Sequence, residues 1–144
     1  MPIYIDTSAL AKRYVAESGS EAFEAFVVSQ NEECVICPLG AIEFESILQR
    51  LQRQRLIDGA YALQARRDFA SDLASAVWSM QVFNPSYISR GTELMRTLSS
   101  PLATLDALHL ACAIEMGCDA MATGDKQLAR AAQECKLDVH SFVD

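Results

Sequence analysis

The sequence predicts an α/β domain, with helices flanking a central parallel sheet of about five strands. Two observations carry that prediction. Short apolar runs alternate with longer amphipathic ones along the whole chain, the pattern of βα units around a parallel sheet. At 144 residues, with no stretch that reads as a linker or repeat, the chain is one domain, residues 1–144, large enough to bury roughly 70% of the surface its unfolded form exposes.

The elements follow in order. Ile3-Tyr4-Ile5 is the first strand, and Thr7 opens the first helix. Ser18-Gly19-Ser20-Glu21 stops that helix and offers the second a capping box, with Ser18 and Glu21 three residues apart. Ala22, Phe23, Phe26 and Val27 form the second helix's apolar face. Cys34 to Cys37 is the next strand. From Leu39 to Leu56, Ile42, Ile47, Leu48 and Leu51 make a stripe with glutamines and arginines opposite. Asp58-Gly59 opens a helix running from Tyr61 to about Ser75. Val77 to Phe83 is the third strand, broken by Asn84-Pro85-Ser86, after which Ser86 or Ser89 caps a helix carrying Leu94, Met95 and Leu98. Ser99-Ser100-Pro101 interrupts again. Thr104 is the expected N-cap of a helix from Leu105 to Met116, apolar on nearly all sides and therefore buried, closed by Gly117. Ala120 to Thr123 and Leu137 to Phe142 are the last strands, with a helix between them.

The net charge of -7 argues against a broadly basic nucleic-acid surface. A local one is still open, because Arg50, Arg53, Arg55, Arg66 and Arg67 gather around one turn between helices; the alternative is a solvated helical face. The first residues lack a basic segment followed by an apolar one, and no apolar run approaches the ~18 residues of a membrane span. A cytoplasmic protein with no membrane partner is expected. Five scattered cysteines suit buried thiols in a reducing compartment. Cys34-Val-Ile-Cys37 has CxxC spacing, but Pro38 follows it and His109 and His140 are isolated, so neither a redox pair nor a zinc site is expected.

In an open parallel sheet, ligands bind outside the carboxyl ends of the strands. Asp6 directly follows the first strand, and Asp125 follows the strand ending at Thr123 by way of Gly124. Glu43 lies early in the helix after Cys34 to Cys37, and Asp106 lies in the first turn of the apolar helix. Each has a local reading: Asp6 and Asp125 as N-caps, Glu43 solvated like Glu45, Asp106 as complement to a helix dipole. Asp106 is the most demanding, since a carboxylate buried unpaired in apolar surroundings is strongly unfavourable. No Lys or Arg lies between Arg96 and Lys126, so it needs a basic partner from elsewhere in the chain or a divalent cation shared with the other acids. All-oxygen ligation suits Mg²⁺ or Mn²⁺.

The segments "YIDTSALAKRYVAESGSEA", "PLGAIEFESIL", "LDALHLACAIEMGCD" and "MATGDKQLARAAQECKL", in this order, resemble the four acidic motifs of PIN-domain ribonucleases, above all the VapC toxins of toxin-antitoxin modules. The resemblance spans Ile3 to about Val139. It implies a PIN-like domain that hydrolyses single-stranded or structured RNA with Mg²⁺ or Mn²⁺. It carries the catalytic, metal-binding acids onto Asp6, Glu43, Asp106 and Asp125. Thr123, and with it Thr7 or Ser8, would support those acids or touch substrate. The partners it implies are an RNA, a cognate antitoxin whose tail lies across the site, and a second copy of the chain. Phe23, Phe26 and Val27 would form a groove for that tail or pack in the core. Gly40 stands where many relatives have Ser or Thr, and Arg55 to Leu98 carries no motif.

Two other readings fit part of this pattern. A haloacid-dehalogenase-like phosphatase also places an aspartate nucleophile after its first strand, but wants a second acid two residues on and then glycine, where this chain has Ser8 and Ala9. A non-catalytic acidic metal- or peptide-binding module leaves four acids without a reaction to perform. His109, three residues after Asp106, is expected to be a packed core histidine rather than a general base, because Leu108, Leu110 and Ala111 surround it. Lys12, Arg13, Lys126 and Arg130 follow the acidic motifs closely and either meet phosphates or are solvated.

Overall fold

A computed structural model describes residues 1–143; Asp144, the last residue of the expected domain, lies outside the described residues. The strands are β1 (Ile3–Ile5), β2 (Cys34–Ile36), β3 (Ser79–Met80), β4 (Ala120–Thr123) and β5 (Asp138–Ser141). The helices are α1 (Thr7–Leu10), α2 (Ser20–Ser29), α3 (Pro38–Arg53), α4 (Gly59–Ala74), α5 (Ser86–Thr97), α6 (Thr104–Glu115) and α7 (Lys126–Glu134). All strand pairs are parallel, in the order β3-β2-β1-β4-β5.

β1 is central, and its residues alternate between two cores. Ile3 and Ile5 pack with Leu10, Phe23, Phe44 and Trp78 on one face. Tyr4 packs with Val35, Leu110, Met121 and Leu128 on the other. Helices cover both faces, which is why the short strands read as continuous apolar runs rather than alternating ones. Phe23 is fully buried and stacked near Trp78, and Phe26 and Val27 pack against the same core. That helix face is core, not groove.

Register sets the site. Ile5 pairs with Ala122, and the Asp6 N–H donates to the Ala122 carbonyl at 3.0 Å. Asp6 therefore leaves β1 beside Thr123. A Cβ on Gly40 would make ordinary van der Waals contact, 3.4 Å from Thr7 Oγ1 and 4.0 Å from a Leu10 methyl. Helix α3 packs over α1 and brings Glu43 to Thr7.

Several local expectations are corrected. The first helix is one α-turn followed by a 3₁₀ turn, Ala11–Arg13. The Ser18–Glu21 capping box does not form. Gly19, at φ 87°, is the N-cap of α2, and a Cβ on it would come 2.9 Å from the Phe142 carbonyl, so the tight left-handed entry excludes the box. Thr104 lies inside α6, whose N-cap is Ala103 without a side-chain bond. Neither Ser86 nor Ser89 caps α5; the Asn84 side chain instead accepts the Ser86 N–H at 2.9 Å. The third strand shrinks to Ser79–Met80, an edge strand paired only with β2, while Val82 is exposed. A single further ladder bond, Gln81 N–H to the Ile36 carbonyl, precedes the departure toward Pro85. The cysteines are free thiols, as expected, with four of the five buried. Cys37 lies 3.5 Å from Cys112, not beside Cys34.

Candidate active site

The carboxyl ends of β1 and β4, the first turns of α1 and α6 and the middle of α3 meet at one edge of the sheet. There a cavity of about 430 Å³ is lined by Asp6, Glu43, Asp106 and Asp125 together, with Thr7 and Ser8 between them. The four acids predicted from four separate segments are thus neighbours. A larger groove of about 870 Å³ beside α2 holds none of them and shares only Lys12 with the cavity. Its size does not make it the site.

Asp6 is 4% exposed, and its charge is met by hydroxyls. Its Oδ2 accepts from Ser8 Oγ at 2.5 Å and from Thr123 Oγ1 at 3.0 Å. Its contact to the Ser8 N–H is long, 3.4 Å, so capping α1 is a minor part of its environment. Asp125 does cap α7, its Oδ1 accepting from the N–H groups of Gln127 and Leu128 at 2.8 and 3.0 Å. Oδ2 has no protein partner among the described residues. The local and the shared readings of Asp125 are therefore compatible.

Glu43 Oε1 accepts from Thr7 Oγ1 at 2.9 Å and is bonded by His109 Nε2. Burial alone would raise its pKa, but the His109 bond and charge outweigh that and hold it below the usual carboxylate range. Asp106 is different. Among the described residues no Lys or Arg pairs with it, nor with the other three acids. Burial, then the nearby charges of Asp125 and Asp6, push its pKa up to about 6, with His109 opposing and Glu43 adding. This is the response expected of a half-buried carboxyl among like charges.

His109 is buried, as the sequence suggested, but it is not inert. Nδ1 is paired with Tyr4 Oη at 2.6 Å, and besides Glu43, Nε2 has Thr7 Oγ1 at 3.4 Å and Asp6 Oδ1 at 3.8 Å. Burial works to lower its pKa; the Glu43 bond and the Asp6 and Glu43 charges overcome this and raise it. The only sequence signal was a lone polar residue one turn after Asp106.

The basic residues sort themselves as well. Lys12 lines the cavity but gives its ammonium to Glu17 and the Ser18 carbonyl. Arg13 is bound to Asp72 and Glu24, and Arg66 is paired with Glu45. Of the clustered arginines, Arg50 alone reaches the cavity. Lys126 and Arg130 are exposed and outside it.

Among the described residues, no group of three or more His, Cys, Asp or Glu side chains is arranged so that it could hold a metal ion. The donor chemistry still fits a hard divalent cation, which typically takes one or two carboxylates and keeps several waters. Carboxylates without a Lys or Arg ion pair among the described residues, one with its pKa raised by burial and then by the charges of the others, are what such a cation would relieve.

A profile of the PIN domain family matches residues 3–134. No curated protein matches the sequence. The fold is similar to that of VapC20 from Mycobacterium tuberculosis, a Sarcin-Ricin loop cleaving toxin, at 18% identity over 90% of this chain and 94% of that one, TM-score 0.69. It is similar to FitAcB from Neisseria gonorrhoeae at 15% identity, 95% of each chain and TM-score 0.72. It also resembles VapBC2 from Rickettsia felis, solved bound to a DNA fragment from their promoter, at 14% identity, 99% of each chain and TM-score 0.69. These identities speak for fold, whereas the family match covers most of the sequence and contains all four acids. PIN-domain proteins as a family are nucleases that generally use a divalent metal, and this chain belongs to the PIN domain family.

Proposed function

We propose that the protein is a metal-dependent endoribonuclease and the toxin component of a toxin-antitoxin module, with Asp6, Glu43, Asp106 and Asp125 holding Mg²⁺ or Mn²⁺. The observation that carries this reading is the convergence of those acids on one cavity, none of them ion-paired with a Lys or Arg among the described residues. The toxin assignment draws support from the shared fold with VapC20. An antitoxin protein and a second copy of the chain are the proposed partners, in a cytoplasmic setting, with the fold shared with VapBC2 and FitAcB in favour of the first.

A bound divalent cation would lower the pKa of a water and neutralise charge on the scissile phosphate. The chain's own groups do the rest. Asp6 and Asp125 approach from the ends of β1 and β4, and Ser8 and Thr123 hold Asp6 in place with donated hydrogen bonds. Glu43 enters from α3, fixed through Oε1. Asp106, without a hydrogen-bond partner among the described residues, is the most readily available acid. No side-chain nucleophile is needed.

The test is incubation of purified protein with transfer and ribosomal RNAs in Mg²⁺, Mn²⁺ or EDTA. Internal cleavage that needs the metal and disappears in Asp6→Asn is expected. Release of phosphate from small monoesters with a trapped phosphoryl group on Asp6 would overturn the reading.

A further inference from the structure

We propose that His109 is a positioning residue of the acidic site, which acts by clamping Glu43. The proposal rests on the metal-binding reading above and extends it to a side chain that does not line the cavity.

His109 is 1% exposed, on a helix whose other buried residues are Ala107, Leu110, Ala111, Cys112 and Ala113. An imidazole in such surroundings is tolerated only when its nitrogens are bonded. Both are. Nδ1 meets Tyr4 Oη at 2.6 Å, and Tyr4, at 0% exposure, is itself immobilised in the central strand. The two rings pack edge to face, with centroids 5.7 Å apart. On the other side of the ring, Nε2 bonds Glu43 Oε1. A continuous chain therefore runs from β1 through α6 to α3, from Tyr4 through His109 to Glu43.

Its consequence falls on one atom. Oε1 takes the bonds from both His109 and Thr7, while Oε2 has no protein partner among the described residues and remains for a cation. Glutamate has three side-chain torsions and this one is partly exposed, 23%, so without the clamp it would sample solvent-facing rotamers. Helix α6 thus supplies the site twice, with Asp106 directly and, one turn later, with the group that holds the acid of the facing helix. Hydrogen-bond partners of this kind commonly tune metal affinity about 10- to 100-fold. His109 is no general base in this arrangement, because Nε2 is occupied by Glu43.

Two amide side chains separate a clamp from a core filler. In His109→Gln the amide nitrogen takes the place of Nε2 and keeps the bond to Glu43; in His109→Asn it takes the place of Nδ1 and keeps only the partner Tyr4. Mn²⁺ affinity is measured by calorimetry on the whole protein, beside denaturant melts in EDTA. The expected result is affinity weakened about 10- to 100-fold in His109→Asn and within a few-fold of wild type in His109→Gln. Equal Mn²⁺ affinity in the two variants, whether retained or lost, overturns the proposal.

If His109→Asn does not fold, Tyr4→Phe decides. It should weaken Mn²⁺ binding several-fold in the wild-type background and not at all in Glu43→Gln, since the effect passes through Glu43. No change in the wild-type background, or the same loss in both, overturns the proposal. Wild-type protein is titrated first: absence of Mn²⁺ binding there removes the metal reading itself and the clamp with it, whereas binding that is insensitive to His109 removes the clamp alone.

Discussion

Thr123 donates a 3.0 Å hydrogen bond from Oγ1 to Asp6 Oδ2, joining the last residue of β4 to the acid that follows β1. The same oxygen accepts the Asp125 N–H at 3.0 Å, and Thr123 is fully buried. One hydroxyl therefore fixes two of the four acids relative to each other, through the pairing of the two central strands.

Thr123→Val keeps the shape and removes that hydroxyl. It leaves the Asp125 N–H without its partner, which should destabilise the protein by about 1–3 kcal/mol. Cleavage per folded molecule should also fall, because Asp6 keeps only Ser8. Denaturant melts together with cleavage rates check both. Full activity in a destabilised Thr123→Val would show that the bond is structural only.

Asp106→Asn should be inactive yet, in EDTA, at least as stable as wild type. The substitution removes a charge that Asp125, Asp6 and Glu43 repel, and it breaks no ion pair. A loss of about 3 kcal/mol or more, the penalty for stranding a buried partner, would contradict this environment for Asp106.

The pH dependence follows from the same group. Its folded pKa is about 6 against an ordinary 3.8, so between those values the folded state binds more protons than the unfolded one. The Asp106 contribution to stability therefore falls as pH rises through that window. In metal-free protein, the stability of Asp106→Asn relative to wild type should grow from about pH 4 to about pH 6 and level off above. A cation must displace the proton, so Mn²⁺ affinity should climb with pH up to about 6 and flatten beyond about 7. Calorimetry across that range reads it directly, and a flat affinity profile would be incompatible with Asp106 as a ligand.

A stability change remote from the site provides a contrast. Trp78 Nε1 donates to Tyr14 Oη at 2.6 Å, and Tyr14 Oη donates to Asp72 at 2.5 Å. Tyr14→Phe orphans the N–H of a Trp that is 2% exposed, at a cost of about 1–3 kcal/mol. None of these residues lines the acidic cavity. The rise in Tm on adding Mn²⁺ should therefore match that of wild type, and a reduced rise would show coupling between the two regions.

Sequence alone determined the class of the fold and the addresses of the acids. Apolar runs such as Ile3 to Ile5 and Ala120 to Thr123 report burial on both faces, and burial on both faces with helices between implies a parallel sheet. A parallel sheet sends all its strand ends to one edge, so Asp6 and Asp125, placed immediately after two strands, had to arrive there together.

The tertiary structure decided what sits opposite what. Strand order put β4 beside β1 and so placed Thr123 against Asp6; periodicity carries no information about which strand pairs with which. The packing of α3 on α1 let Thr7 reach Glu43. His109 read as core because its chain neighbours are apolar, yet its bonds run to residues 105 and 66 positions away. The capping expectations at Ser18, Ser86 and Thr104 failed for the same reason. Local sequence offers a side chain that can cap, but whether the backbone enters the helix at that residue is set by the packing of the segment before it, as Gly19 against the Phe142 carbonyl shows. Hydrophobic pattern is a property of the chain and survives in the sequence; the partner of a buried polar group is a property of the assembled layers, and only their approach supplies it.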